Sequence, residues 1–312
     1  MAGKRFRHRL EYLLLRVTVW KLGLLPLRLA LKVGSLLGWT AWRVLRIRRE
    51  VSMINLRQAF RESDDARLDA VGLASYRNAG RFMVEFARQD RLGEKHIRRH
   101  VKLDPDSRET LEEALSLDRG LIGLSFHFGN WELLGVAQKT LGFDVSFLVG
   151  RQKNTLVDDY INHLRSSHGL GIITRDAAMR RIVRTSREGG IVCWLSDQDA
   201  GGGGLVVDFF GYPASTPRGA AAFAVKLGMP ILVGFMVREG GPDHRLVFGG
   251  LLRPRQDLDR NEAELELTQR YTKLLESMVR QHPEQYWWPH RRWMTTGLYK
   301  RDESKDTGQR EG

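Results

Sequence analysis

The chain has 312 residues, 42% hydrophobic and 28% charged, a length for two domains or one large α/β unit with an appendage and a composition unlike a disordered or multi-span membrane protein. Its single cysteine, Cys193, excludes a disulfide framework or a cysteine cluster for zinc or iron–sulfur and fits reducing cytosol. The net charge is +13, but residues 1–50 hold twelve basic and two acidic side chains, so +10 of it lies there and the other 262 residues carry only +3.

In chain order, Leu10, Leu13, Leu14, Val17 and Trp20 recur at helical spacing with Arg5, Arg9 and Arg16 on the flank, which predicts a cationic amphipathic helix. A break at Pro26 is followed by the ten uncharged residues 33–42, too few to span a bilayer on their own. Residues 1–48 are therefore expected to be membrane-associating helices lying in the interface, with Trp20, Trp39 and Trp42 as headgroup-level anchors; a tilted span or a helix docked on the domain are the alternatives. Interruption of the apolar run by Arg16 and Lys21 argues against a cleaved signal peptide. Basic residues that alternate with Leu, without a zinc-finger, RNP or KH pattern, argue against a nucleic-acid partner.

Residues 49–118 read as a helical lead-in, with helices over 64–91 and 107–117. Short apolar runs then alternate with helix-length stretches: 121–126, 143–149, 170–174, 190–196, 205–210, 229–237 and 245–251. That alternation predicts an α/β domain over 119–298, with a largely parallel central sheet flanked by helices. A last long helix is expected over 261–281, and the charged tail 299–312 reads as disordered. P-loop, complete dinucleotide-type glycine fingerprint, zinc-protease and Gly-x-Ser-x-Gly patterns do not occur.

The sharpest local feature is SFHFGNWELLG, residues 125–135, at the end of the first strand of the α/β domain. A turn containing His127, opened into a helix by Gly129 and Asn130, would let Glu132 fold back from the first helical turn onto the imidazole. A carboxylate on one ring nitrogen leaves the other free as a base able to deprotonate an alcohol. The alternative makes His127 a surface loop residue and Glu132 a favourable acid at a helix N-terminus. Arg151, Asn154, Arg175, Asp197, Gln198 and Asp199 follow later strands, whose carboxyl ends share one edge in a parallel sheet. Arginines there suit either forked contacts to phosphate or a solvated rim. Cys193 sits inside an apolar strand and reads as core, so direct attack by a substrate hydroxyl is expected. The run 200–204, AGGGG, reads as a mobile loop over the site or a phosphate cradle.

Four blocks, HFGNWELLG, GRQKNTLVDDYINHLR, SDQDAGGGGLVVDFFGYPASTPRGAAAFAVKLGMPI and HPEQYWWPHRRW, together with RREVSMINLRQAF at 48–60, resemble the bacterial lipid A late acyltransferases, the lauroyl and myristoyl transferase family, over about residues 20–298. The resemblance implies a glycerolipid acyltransferase-like fold at the cytoplasmic face of the bacterial inner membrane. It implies transfer of a fatty acyl chain from acyl carrier protein or CoA to a hydroxyl of a lipid A precursor or related glycolipid, with no metal or cofactor. On this likeness His127 is the general base and Glu132 its orienting carboxylate, while Arg151, Asn154 and Arg165 match the second block and Asp197 and Gln198 the third. In relatives that acylate mannosylated phospholipids, the acid in the Asp197 region can partner the His. The four-glycine run is longer than is usual in the family. Other acceptors, such as a mannosylated phospholipid or an aminolipid, and a non-catalytic membrane-surface protein are the rival readings.

Overall fold

A computed structural model describes residues 2–174 and 178–299; Arg175 and the tail from Lys300 lie outside the described residues. Two long helices open the chain, α1 (Ala2–Leu24) and α2 (Leu27–Arg43), separated where Pro26, with no N–H to donate, caps α2. Next come α3 (Arg49–Ala59) and α4 (Asp65–Ala87), the latter capped by the Asp64 carboxylate, which accepts from Arg67 N at 2.7 Å. α2 crosses α4 closely because glycines meet at the crossing. A Cβ on Gly80 would stand 1.9 Å from Gly34 O, and one on Gly38 would stand 2.0 Å from Tyr76 O. Gly34 and Gly38 thus form a small-xxx-small face turned inward onto another helix.

After α5 (Glu94–His100), strand β1 (Val101–Leu103) and α6 (Arg108–Leu115), the expected alternation begins. It runs β2 (Leu121–Ser125), α7 (Trp131–Thr140), β3 (Val145–Val149), α8 (Thr155–Ser166), β4 (Gly171–Thr174), α9 (Ala178–Arg187) and β5 (Ile191–Leu195). A hairpin, β6 (Leu205–Phe209) and β7 (Tyr212–Thr216), precedes α10 (Gly219–Leu227), β8 (Ile231–Gly240), β9 (Asp243–Leu252) and α11 (Arg260–Gln281). The protein is thus a mixed α/β structure whose central sheet, in the order β1-β9-β8-β2-β5-β3-β4, is parallel except between β8 and β9. β2 lies mid-sheet and is buried at every residue, as a strand covered by helices on both faces must be.

Several expectations need correction. The run 205–210 is not a strand of the central sheet. Phe210 and Gly211, with φ of 56° and 67°, make a two-residue turn, so β6 pairs with β7 as a separate antiparallel hairpin. β7 is hard to read in sequence because Pro213 and small residues break the apolar alternation. β9 returns antiparallel to β8 because too few residues separate them for a crossover. Trp42, expected at the membrane surface, is fully buried: it packs edge-on against Tyr76 at 4.9 Å and donates its indole N–H to Asp69 at 3.1 Å. Trp20, at 59% exposure, remains outward with Leu10, Leu13, Leu14 and Val17. Among the described residues no helix is long and apolar enough to cross a membrane.

Candidate active site

Strand register builds the site. β2 and β5 are parallel neighbours with Ser125 opposite Leu195, and each chain continues two residues past that pair before reaching His127 and Asp197. The two side chains therefore emerge together at the carboxyl edge of the sheet, where open α/β folds place their ligands. His127 Nδ1 lies 2.7 Å from Asp197 Oδ1, and the His127 backbone N–H donates to the other carboxylate oxygen at 3.0 Å. Because an ionised carboxylate only accepts, Nδ1 carries the proton and Nε2 keeps its lone pair. Gln198 Nε2 lies 3.3 Å from His127 Nε2, an amide donor facing the nitrogen that a substrate hydroxyl would approach.

Burial differs across the pair: the Asp197 side chain is 2% exposed and the His127 ring 21%, so the acid is sealed while the base reaches solvent. Burial by itself drives the Asp197 pKa upward, yet the charge and hydrogen bonds of His127, aided by Arg292, hold it below the ordinary carboxylate value. Trp131 flanks the imidazole edge-on at 5.1 Å.

The turn itself is fixed by backbone contacts. Gly129, at φ +57°, lies so close to β8 that a Cβ would stand 1.9 Å from Met236 O. Asn130 caps α7 by accepting from Leu133 N at 3.0 Å and donates to the buried Glu85 at 2.7 Å. Glu132 sits in the first turn of α7, as expected, but its carboxylate does not turn to the imidazole. Arg165 of α8 takes both oxygens, Nε at 3.0 Å and Nη2 at 2.5 Å, and Asp197 holds the nitrogen expected for Glu132. A forked guanidinium–carboxylate pair joins two helices more strongly than a single neutral hydrogen bond would.

The other expected residues divide. Arg151 is exposed on the loop after β3. Asn154 caps α8 through Leu156 N and donates to His8 O at 2.9 Å and Glu11 Oε2 at 3.0 Å, so it ties α1 down. Asp199 accepts from Thr295 N and Oγ1, at 3.0 and 2.6 Å, and from Gly201 N, which shapes a 3-10 turn over Gly201–Gly203. Cys193 is core: burial pushes its thiol pKa up to about 12, leaving no thiolate nucleophile.

Sequence reasoning missed the C-terminal clamp. Tyr286 bridges Phe128, Gln285 O accepts from Gly129 N at 2.9 Å, and His127 O accepts from Trp287 N at 2.9 Å. Asn55 holds that clamp from behind, donating to Trp288 O and His290 O, each at 2.7 Å. Arg292 is buried, donates to Ser215 O and Thr216 Oγ1, and adds positive charge behind Asp197. The signal was the recurrence of four separated motifs in one chain, not any one spacing.

Comparisons with known proteins point the same way. The chain is 24% identical over 284 residues to the lipid A biosynthesis palmitoleoyltransferase of Escherichia coli (strain K12), 89% of each chain. It is 26% identical over 254 residues to the lipid A biosynthesis myristoyltransferase of the same organism, covering 81% of this chain and 77% of that one. It is 25% identical over 169 residues to the phosphatidylinositol mannoside acyltransferase of Mycobacterium tuberculosis (strain CDC 1551 / Oshkosh), where the match spans about half of each protein, 53%. The profile of the bacterial lipid A biosynthesis acyltransferases matches residues 2–295, and the chain belongs to that family.

Proposed function

We propose that the protein moves a fatty acyl chain from an acyl thioester, on acyl carrier protein or CoA, to a hydroxyl of a lipid A precursor or related membrane glycolipid at the cytoplasmic face of the bacterial inner membrane. The His127–Asp197 pair carries this reading: a partly exposed base with a fixed tautomer and a buried anionic partner, at a sheet edge. His127 Nε2 accepts the hydroxyl proton as the oxygen attacks the thioester carbon. Asp197 stabilises the imidazolium that forms, and collapse of the tetrahedral intermediate expels a thiolate that needs little acid help. In this scheme Glu132 positions Arg165, and through it α8, instead of orienting the imidazole.

Outward Leu10, Leu13, Leu14, Val17 and Trp20 on α1, with Leu36, Leu37, Val44 and Leu45 on and after α2, support attachment to a membrane surface where an amphiphilic acceptor resides. A mannosylated phospholipid is the second reading for the acceptor, favoured by the choice of Asp197 over Glu132 as partner of the His. Mass spectrometry of lipid extracts from cells with and without the protein decides between them, since the molecule that gains mass is the acceptor and the mass gained is the acyl chain. A glycolipid gaining one acyl chain supports the proposal; unchanged lipid profiles overturn it.

A further inference from the structure

Between α4, the end of β8 and the C-terminal clamp lies a cavity of about 410 Å³ whose lining includes Arg43, Arg77, Arg81, Arg238, Glu239 and Glu284; Gln285, which also holds Gly129 of the His127 turn, lines it too. Four guanidiniums face two carboxylates, and most of these groups already have partners. Arg238 is bound to the buried Glu85, at 2.8 Å from Nη1 to Oε1, and Arg43 pairs with Asp69 at 2.8 Å. Glu239 accepts from Arg245 at 2.8 Å and Glu284 sits beside His282 at 3.8 Å. Arg77 and Arg81 are left over. Among the described residues Arg77 has no hydrogen-bond or ion-pair partner, and Arg81 makes only a long donation to Ser35 Oγ at 3.4 Å.

These two positive charges are crowded. Arg81 is half-buried, and burial first, then the neighbouring Arg238 and Arg77, push its pKa below the ordinary guanidinium value, with only Glu85 opposing. An anion placed between Arg77 and Arg81 would relieve that repulsion, and a planar fork suits phosphate oxygens.

The flank of α2 that borders the groove, through Arg43 in its lining and Ser35 beside Arg81, indicates which anion. Ala30, Leu31, Gly34, Gly38 and Trp42 form the buried stripe of α2, while Leu29, Leu36 and Leu37 on α2, and Val44 after it, face outward at 47–61% exposure. At 100° per residue, Arg28, Lys32, Ser35 and Arg43 fall on the flank between those two stripes, the flank that meets Arg81 through Ser35. A helix lying in a membrane interface with the leucines in the acyl region holds such a flank at the depth of the lipid phosphates.

We infer that the groove along α4, bordered by α2, is a binding site for the phosphate of an anionic phospholipid, held by Arg77 and Arg81 with Arg43 at its rim. The inference rests on the membrane-facing reading of α2 and not on the acyl-transfer chemistry, so the two fail separately.

The full chain is mixed with phosphatidylcholine vesicles with or without phosphatidylglycerol, floated, extracted in mild detergent and examined by native mass spectrometry. The wild type retains phosphatidylglycerol selectively. R77Q/R81Q still floats with vesicles and unfolds at the wild-type temperature but retains about tenfold less phosphatidylglycerol, as expected for loss of hydrogen bonds to a charged group. R77K/R81K, which keeps charge without the fork, falls between. Equal retention by wild type and R77Q/R81Q overturns the proposal. So does displacement of the lipid by inorganic phosphate at comparable concentration, which would make the groove a free-phosphate site, and so does failure of the wild type to float. H127A binding phosphatidylglycerol like the wild type supports the separation from catalysis; loss of binding in H127A contradicts it.

Discussion

Asp197 offers His127 two acceptors, one for the ring and one for the backbone N–H, and that double contact explains why it is the partner. D197N keeps the shape but loses the charge and offers an amide that can donate to Nδ1, reversing the tautomer. Steady-state acyl transfer by D197N should fall about 10³- to 10⁴-fold in kcat with KM little changed. His127 was legible as a candidate base because it falls where the first strand of the α/β domain turns into a helix opened by Gly129 and Asn130, with polar residues following the later strands. For its partner, spacing in sequence brings Glu132 forward, whereas adjacency of β2 and β5 in the sheet brings Asp197, which the family resemblance alone offered as an alternative.

A second titrating residue bears on stability. Burial pushes the pKa of His244 down to about 4 from 6.5; Glu85 opposes this, and Arg238 and His96 reinforce it. The folded ring stays neutral while the unfolded chain takes up a proton near pH 6.5, so the unfolded state binds more protons and stability falls as pH drops. The loss begins near 6.5 and levels off near 4, on the order of 3 kcal/mol in all. Chemical denaturation across that window should show a shallower decline in H244Q; an identical slope would remove His244 as the cause.

At the scale of elements, α1 is attached at its C-terminal end and along its middle. Arg88 and Arg91 donate to Leu25 O and Gly23 O, at 2.8 and 2.6 Å, and Asn154 and Tyr160 hold the half around Glu11, Tyr12 and Arg16. Its leucines and Trp20 still point outward. Deleting residues 1–20 should weaken association with anionic vesicles, and the wild-type association should fall as salt rises, because surface charge is screened within about 10 Å at 0.1 M. Salt-independent retention of the truncated chain would place the attachment elsewhere. Helix periodicity exposed α4 and α11 in the sequence, and apolar runs exposed β2, β3 and β5. The burial of Trp42 and the inward glycines of α2 were hidden, since an amphipathic cationic stretch looks alike whether one stripe packs on a neighbouring helix or two stripes face a bilayer.

Over the whole molecule, the separated motifs converge. Residues 48–60 supply Asn55, which holds the C-terminal clamp; the clamp holds the His127 turn; the third block supplies Asp197; and the second supplies Arg165, which secures Glu132. The order of blocks was readable as a family resemblance, and the mostly parallel sheet from the alternation of apolar runs with helix-length stretches. The way they interlock was not, because contacts between Asn55 and Trp288 span 233 positions and depend on the topology.

The central claim, that His127 activates a lipid hydroxyl, is tested most directly by transfer of a labelled acyl chain from acyl carrier protein to membrane glycolipid by purified wild type and H127A. We predict turnover by the wild type and a loss of at least about 10²-fold in H127A, the low end for removal of a general base. Undiminished turnover by a folded H127A would contradict the account.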